Sequence, residues 1–382
     1  MREAELAYLR DALGVESLPR SNRADFRSLT LPDGRAYLLP VRAKRAFANA
    51  LDLYQTHRPR TRLIRSLLAA GGLLGWSQRL LPIENLTGLD SWKDFFANLF
   101  QRSDIELAIT LGTPGPQRKP VIQILSARGE RLGYAKVGWN EVTARLVGRE
   151  ADALETLKMH PTGFDTPQII FAGQWRNKLL CVQSAPTGRT SPASAKLSAD
   201  FVQAVNDLAG LERREQEIEN SRLWKNLDRR MEQPGDSTAR PLLRQAAQSI
   251  STAMRGRTIP FHASHGDFTP WNAARLPHRL YLYDWESASF DRPAGYDLCH
   301  FLIRVHRLVK KSSPAAMYSS VLSSLQREPA SRYWQHLGIK FEPAFLLLYL
   351  VDRLASAPED IDDPDESHVL NRLAELCLAG LR

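Results

Sequence analysis

Cysteine is scarce in this chain: Cys181, Cys299 and Cys377 are the only three, far apart and without a Cys-x-x-Cys pair. That spacing argues against a disulfide framework or a cysteine-based zinc site and fits a reducing cytosol. Long apolar runs are also missing. The longest, Leu67 to Trp76 and Ala344 to Val351, fall short of the ~18–20 apolar residues that span a bilayer. Asp352 and Arg353 follow the second run directly, so it reads as a buried helix. The first twenty residues mix charged and apolar side chains with no apolar h-region, so no secretory leader is expected and the expected location is cytoplasmic. There is no internal repeat and no low-complexity tract. A composition of 43% hydrophobic and 24% charged residues over 382 positions is that of a soluble globular protein with room for two lobes and an extension.

Acidic residues are nearly absent from one window. Between Arg42 and Arg79 stand eight Lys or Arg (42, 44, 45, 58, 60, 62, 65 and 79) against a single acid, Asp52, so seven of the nine excess positive charges sit there. The basic character is local, which argues against a surface that coats nucleic acid. Two readings of the window stand side by side. It is a solvated helix face, or it is a surface for anionic lipid or an acidic partner, with Leu63, Ile64, Leu67, Leu68 and Trp76 as its apolar side. The run Glu359 to Glu366, with six acids in eight residues, reads as a solvated loop or as an attractor for a cationic acceptor.

The first hundred residues read as mostly helical after a turn at Pro32-Asp33-Gly34. From Ile105 the pattern changes to a three-stranded antiparallel meander, Ile105–Leu111, Val121–Ser126 and Gly133–Val137, divided by Gly/Pro/charged turns. A helix over about 142–159 and strands at 168–172 and 179–183 follow. Pro186-Thr187-Gly188 then breaks the chain. Helices are expected over about 198–230, 237–255, 294–311, 315–326, 343–355 and 368–380, with one strand, Arg279–Tyr283, in the turn-rich region 258–290. Strands first and helices afterwards predict an α+β, two-lobed body. The division expected is 1–100 as a basic, mostly helical extension, 101–185 as a sheet-plus-helix lobe, and 186–382 as a helical lobe carrying the chemistry.

The informative stretch is Ser264 to Glu286, SHGDFTPWNAARLPHRLYLYDWE. It contains H-x-D-x-x-x-x-N, followed twelve residues later by an Asp closing an apolar strand. Phosphoryl transfer asks a protein for a carboxylate that orients the attacking hydroxyl and for oxygen ligands that hold Mg²⁺ against the phosphates. Asp267 fits the base, Asn272 and Asp284 the metal ligands, and His265 a brace for the loop. A lone loop Asp is more often a turn former, so the weight lies on the spaced set. His262, His265 and Asp267 have the residue types of a metallohydrolase cluster, but no second histidine–carboxylate group completes a shell. Trp271 and Trp285 read as packing.

HGDFTPWN together with LYDWESASFDRPAGYDL resembles the aminoglycoside phosphotransferase and choline kinase superfamily. By order of elements the resemblance covers about 101–382, and its sharp motifs occupy about 264–300. It implies a protein-kinase-like fold, ATP or GTP as donor and a small-molecule hydroxyl acceptor, with Asp297 of GYDL supporting the catalytic loop. It also implies a strand Lys on the α/β-phosphates, paired with a Glu on the next helix. GYAKVG offers Lys136. Glu150 lies four after Leu146 and four before Leu154, on the inward face, whereas Glu155 faces water. The turn LGTPGPQ has Gly112 and Gly115 but is no G-x-G-x-x-G, so it reads either as a hairpin turn or as a phosphate contact. Trp285-Glu286 follows the metal Asp where protein kinases have Phe-Gly, and no Ala-Pro-Glu segment occurs. Without that peptide platform a small acceptor, such as a sugar, aminoglycoside or amino alcohol, is expected. The competing functions are an inactive nucleotide-binding regulator and a membrane-surface scaffold working through residues 1–100.

Overall fold

The computed structural model describes residues 3–17, 25–51, 59–232, 240–355 and 364–381. The chain forms two compact units, Met1–Glu155 with Pro167–Thr187, and Thr156–Thr166 with Gly188–Arg382.

An eight-stranded antiparallel sheet organises the first unit. Its spatial order is Ile83–Glu84, Phe26–Thr30, Ala36–Pro40, Ile105–Leu111, Pro120–Ser126, Arg131–Gly138, Lys178–Ser184 and Ile169–Trp175. The meander from 105 to 138 is the one read from the sequence. The hairpin at its outer side was not. Phe26–Thr30 and Ala36–Pro40 turn at Asp33-Gly34, and Ala36–Leu38 pair with Leu111–Ile109. Three strands of the stretch 1–100, set apart above as an extension, therefore belong to the same sheet and the same compact unit. Ala36–Pro40 escaped notice because all five residues are buried. A strand covered on both faces shows a short apolar run without alternation, which periodicity cannot separate from helix.

Alternation along the strands sorts two cores. Leu107, Ile109, Leu111, Ile122, Ile124, Ala135 and Val182 pack with Leu9, Trp92 and Phe96 of the helices Glu3–Leu13 and Asp90–Phe100. The Trp92 indole N–H donates to Leu13 O at 3.0 Å. Tyr37, Leu39, Ala108 and Leu125 pack with Phe47 of the short helix Lys44–Ala50. The helix Pro59–Leu74 docks on this second core through Leu68 and Ala69. A side chain at Gly72 would meet the Phe47 ring at 2.5 Å, so glycine sets how close this helix lies. Its remaining apolar residues stay in solvent: Leu63, Ile64, Leu67, Leu73 and Leu74 are each more than half exposed.

The second unit is mainly helical. The helix Pro343–Ala355 has ten consecutive or near-consecutive residues buried, from Ala344 to Leu354, as its apolar run implies. Helices Ala199–Ala209, Arg240–Met254, Tyr296–Val305 and Pro364–Gly380 lie in the same unit, with two small three-stranded sheets. The single helix expected over 198–230 is broken at Gly210. Arg214–Glu217 forms a strand on Thr258–Ser264, and a second helix spans Arg222–Glu232. Arg-Glu-Gln-Glu carries no apolar signature because it is an exposed edge strand, where charge protects the free edge.

Most of the acidic run at 359–366 lies outside the described residues, but Glu366 does not fit a solvated loop. It is buried on the helix Pro364–Gly380 and bonds Arg304 at 2.7 Å, Arg307 at 3.1 Å and Arg353 at 2.9 Å. Those three guanidiniums hold its carboxyl below the usual range against the upward push of burial.

Candidate active site

The strand Thr258–Ser264 feeds the loop that carries HGDFTPWN. Gly266 has φ +81, and a Cβ there would stand 2.0 Å from Ser287 O, so only glycine fits. The root of the loop is tied by one carboxylate. Asp297, in the first turn of the helix Tyr296–Val305, is buried and accepts from Ser264 Oγ at 3.2 Å, His265 N at 2.8 Å and Gly266 N at 3.0 Å. His265 Nε2 lies 3.1 Å from Tyr283 O, and its ring sits 4.3 Å from that of Trp285. Tyr283 N donates to Asn272 O at 3.1 Å. The loop is thereby bonded to the segment bearing Asp284, from the backbone of Asn272 and from the ring of His265.

Asp267 and Asn272 meet directly. Asn272 Nδ2 donates to Asp267 O at 2.9 Å and to Asp267 Oδ2 at 2.6 Å. Both partners are acceptors, so the amide nitrogen must face them, and Oδ1 is the ligand atom the side chain has left to offer. Asp284 has φ +71 and ψ +58, a left-handed conformation uncommon for a residue with a Cβ, immediately before the short 3-10 turn Trp285–Ser287. Backbone held in this region concentrates at functional positions.

Burial works to raise the Asp267 carboxyl, yet the hydrogen bond from His300, with the Arg304 charge nearby, holds it well below the usual carboxylate range. Its side chain remains about a third exposed, whereas His300 is enclosed. An anionic carboxylate with partners on both oxygens and an open side can orient a hydroxyl.

In the other unit, Lys136 lies on the strand Arg131–Gly138 and Glu150 on the helix Glu141–Lys158. A reciprocal cap starts this helix: Thr143 N donates to Asn140 Oδ1 at 2.8 Å, and Asn140 N to Thr143 Oγ1 at 3.1 Å. Lys136 Nζ sits 2.7 Å and 2.6 Å from the two carboxylate oxygens of Glu150, and both residues are buried. Glu155 is exposed. Cys181, across the sheet from Lys136, has its thiol pushed up to about 11 by burial and is inert as a nucleophile.

Gly112 and Gly115 stand apart from this order. Neither has positive φ, and a Cβ at either would meet nothing within 4 Å. The turn they occupy is instead pinned at Arg118, a residue the sequence reading did not single out. Its carbonyl accepts from Tyr8 Oη at 2.8 Å and Trp139 Nε1 at 3.1 Å, while its guanidinium lies 4.8 Å over the Tyr8 ring and donates to Gly34 O at 3.2 Å.

Two other expectations resolve simply. His262 is a satisfied core histidine, with Nε2 2.7 Å from Tyr333 Oη and Nδ1 2.7 Å from Ala263 O. Trp285 is buried and stacks on Phe164 at 5.9 Å. His300, which touches Asp267, was missed. Its one signal in the sequence is a lone polar ring in YDLCHFLIRV, three residues after Asp297.

No family model and no curated protein matches the chain. Solved structures do. A thermostable mutant of the aminoglycoside phosphotransferase APH(4)-Ia, in ternary complex with AMP-PNP and hygromycin B, is 15% identical, with 76% of this chain and 98% of that one covered at a TM-score of 0.50. The choline kinase LicA from Streptococcus pneumoniae is 13% identical over 76% and 98% of the two chains, at 0.48. A putative fructosamine-3-kinase from Haemophilus somnus 129PT is 14% identical over 75% and 96%, at 0.43. Over about three quarters of its length this chain has the protein-kinase-like fold found in aminoglycoside phosphotransferase.

Proposed function

We propose that the protein is a small-molecule kinase, transferring the γ-phosphate of ATP or GTP to a hydroxyl of a sugar, aminoglycoside or amino alcohol. The observation that carries this reading is the Asp267–Asn272 pair, bonded at 2.6 Å on a loop tied through Asn272 O to the segment of Asp284. Asp267 orients the acceptor hydroxyl and takes its proton as the new P–O bond forms and the bond from the γ-phosphorus to the bridging oxygen breaks. Asn272 Oδ1 and the Asp284 carboxylate are hard oxygen donors, the set Mg²⁺ prefers. When bound there, Mg²⁺ supplies neutralisation of the phosphate charge. Lys136, held by Glu150, contacts the α/β-phosphates, and the Gly112–Gly115 turn covers them. The test is nucleotide consumption by the purified protein with ATP and GTP against those three acceptor classes. Consumption with one class, abolished in Asp267→Asn, supports the reading. Nucleotide binding without consumption in any arm would favour the inactive regulator.

We also propose that residues 42–79 touch an anionic membrane from its cytoplasmic face. The five exposed apolar residues of the helix Pro59–Leu74, continued by Trp76, Leu80 and Ile83, each about half exposed or more, favour this over a plain solvated face. Among the described residues no helix is long and apolar enough to cross a membrane, so the contact is peripheral. Arg42 contributes less than its charge implies, being paired with Asp25 at 2.6 Å. Arg58 lies outside the described residues.

A further inference from the structure

One buried polar chain ends on Asp267 and has no part in the reading above. His300 Nε2 lies 2.8 Å from Asp267 Oδ1, and His300 Nδ1 lies 3.0 Å from Tyr349 Oη. The His300 and Tyr349 side chains are almost wholly enclosed. Tyr349 comes from the buried helix Pro343–Ala355, and His300 from the helix whose first turn carries Asp297. Residues three apart lie on one face of a helix. One turn thus presents Asp297 to the backbone at the root of the loop and His300 to the Asp267 carboxylate beside it.

For a neutral ring the chemistry of the three groups allows one arrangement. A carboxylate accepts only, so His300 Nε2 carries the hydrogen it donates. Nδ1 of the neutral ring is then an acceptor, and the Tyr349 hydroxyl donates to it. We infer that His300 is a positioning residue for phosphoryl transfer, locked by Tyr349 in its Nε2–H form so that it holds Oδ1 of Asp267 and leaves the open side of the carboxylate aimed at the acceptor hydroxyl. Burial lowers the His300 ring against the pull of Asp267, and burial raises the Tyr349 hydroxyl well above its usual value. Both directions keep the ring neutral and the phenol protonated. Asn272 holds Oδ2 from the other side, so the carboxylate plane is set by a donor on each oxygen. The effect is orientation, in which small misplacements of the reacting group carry large rate costs.

This inference rests on the kinase reading for its kinetic consequence but not for its geometry, and the two are tested separately. The geometric test is nitrogen-15 spectroscopy of the histidine rings in the full-length protein at neutral pH, with His300→Gln identifying the signal. A protonated Nε2 and bare Nδ1 are expected; an Nδ1–H ring or an imidazolium would overturn the inference. The kinetic test uses ATP with water as acceptor, and then whichever acceptor the screen identifies. His300→Leu should lower kcat about tenfold to a hundredfold, the worth of a hydrogen bond to a charged group, with the KM for ATP unchanged. His300→Gln, whose amide nitrogen can replace Nε2–H, should recover most of that loss. Tyr349→Phe should lower kcat less than His300→Leu and leave the KM alone. A His300→Leu enzyme within twofold of the parent in kcat, or a Gln variant as slow as the Leu variant with equal loss of melting temperature, would overturn the positioning role. Absence of turnover in the parent with every acceptor would refute the kinase reading and leave the ring's tautomer to be judged by spectroscopy alone.

Discussion

Replacing Lys136 by Met should do two separable things, and the structure sets the size of one. Glu150 is fully buried, with Lys136 Nζ within 2.7 Å of both carboxylate oxygens. Taking away one partner of a buried ion pair leaves a charge that has lost its counter-ion in low dielectric, at a cost of about 3–5 kcal/mol. Glu150→Leu should also cost stability, since it takes a buried counter-ion from the ammonium. Lys136→Met with Glu150→Leu removes both charges and keeps most of the volume, so it should cost far less than the two singles added, and the coupling should exceed about 2 kcal/mol. The assay is urea unfolding of the four proteins, read as midpoint and slope. In the same proteins the KM for ATP should rise in each single variant, and the double should be little worse, because both residues serve one phosphate contact. Stability losses that simply add would mean that the pair is not coupled as its geometry requires. Coupled stability with an unchanged KM would keep the ion pair and refute its part in nucleotide binding.

The legible parts of this chain are those where local pattern and tertiary environment agree. Ile105–Leu111 alternates between two cores, and the helix over 343–355 is apolar all round because it is buried all round. The inward carboxylate at Glu150 followed from helical spacing alone, and the structure puts it against Lys136. What escaped is what long-range packing decides. Ala36–Pro40 is a strand because Phe26–Thr30 and Ile105–Leu111 pair with it on its two sides, and Arg214–Glu217 because Thr258–Ser264 offers it an edge. His300 and Tyr349 are 49 residues apart, and they meet, with His300 against Asp267, through the packing of two helices, for which no local spacing codes. The glycines at 112 and 115 show the reverse. They form a pattern in the sequence, but in the structure the turn is held by Tyr8, Trp139 and Gly34 around Arg118, and neither glycine is sterically required.

Further expectations are specific. Asp267→Asn should lower kcat at least ~10²-fold with nucleotide affinity nearly intact, and normal turnover would remove Asp267 as the base. Asp267 is depressed in the folded state, so the stability it contributes is present above its unfolded value of about 3.9 and is lost as pH falls through the lower folded value. A pH–rate profile should accordingly show no acid limb from this group near pH 4–5, and one that titrates there would contradict the His300 contact. Asp284→Ala should abolish Mg²⁺-dependent nucleotide binding by calorimetry, whereas unchanged metal dependence would exclude it as a ligand. Gly266→Ala should unfold the loop or the protein, given 2.0 Å to Ser287 O; a variant with parental melting and turnover would show that the backbone there can move. The membrane contact is tested by co-sedimentation with anionic and neutral vesicles at low and high salt. Each basic residue near an anionic surface contributes about 1 kcal/mol, and the exposed Leu and Trp side chains add an apolar share. Binding to anionic vesicles should therefore weaken with salt as the screening length falls below about 10 Å. Arg58/Arg60/Arg62/Arg65→Glu should remove the salt-sensitive part, while Leu63/Leu67/Leu74→Ser should weaken binding at every salt concentration. Equal and negligible binding to both vesicle types would leave the exposed apolar face of Pro59–Leu74 without this partner.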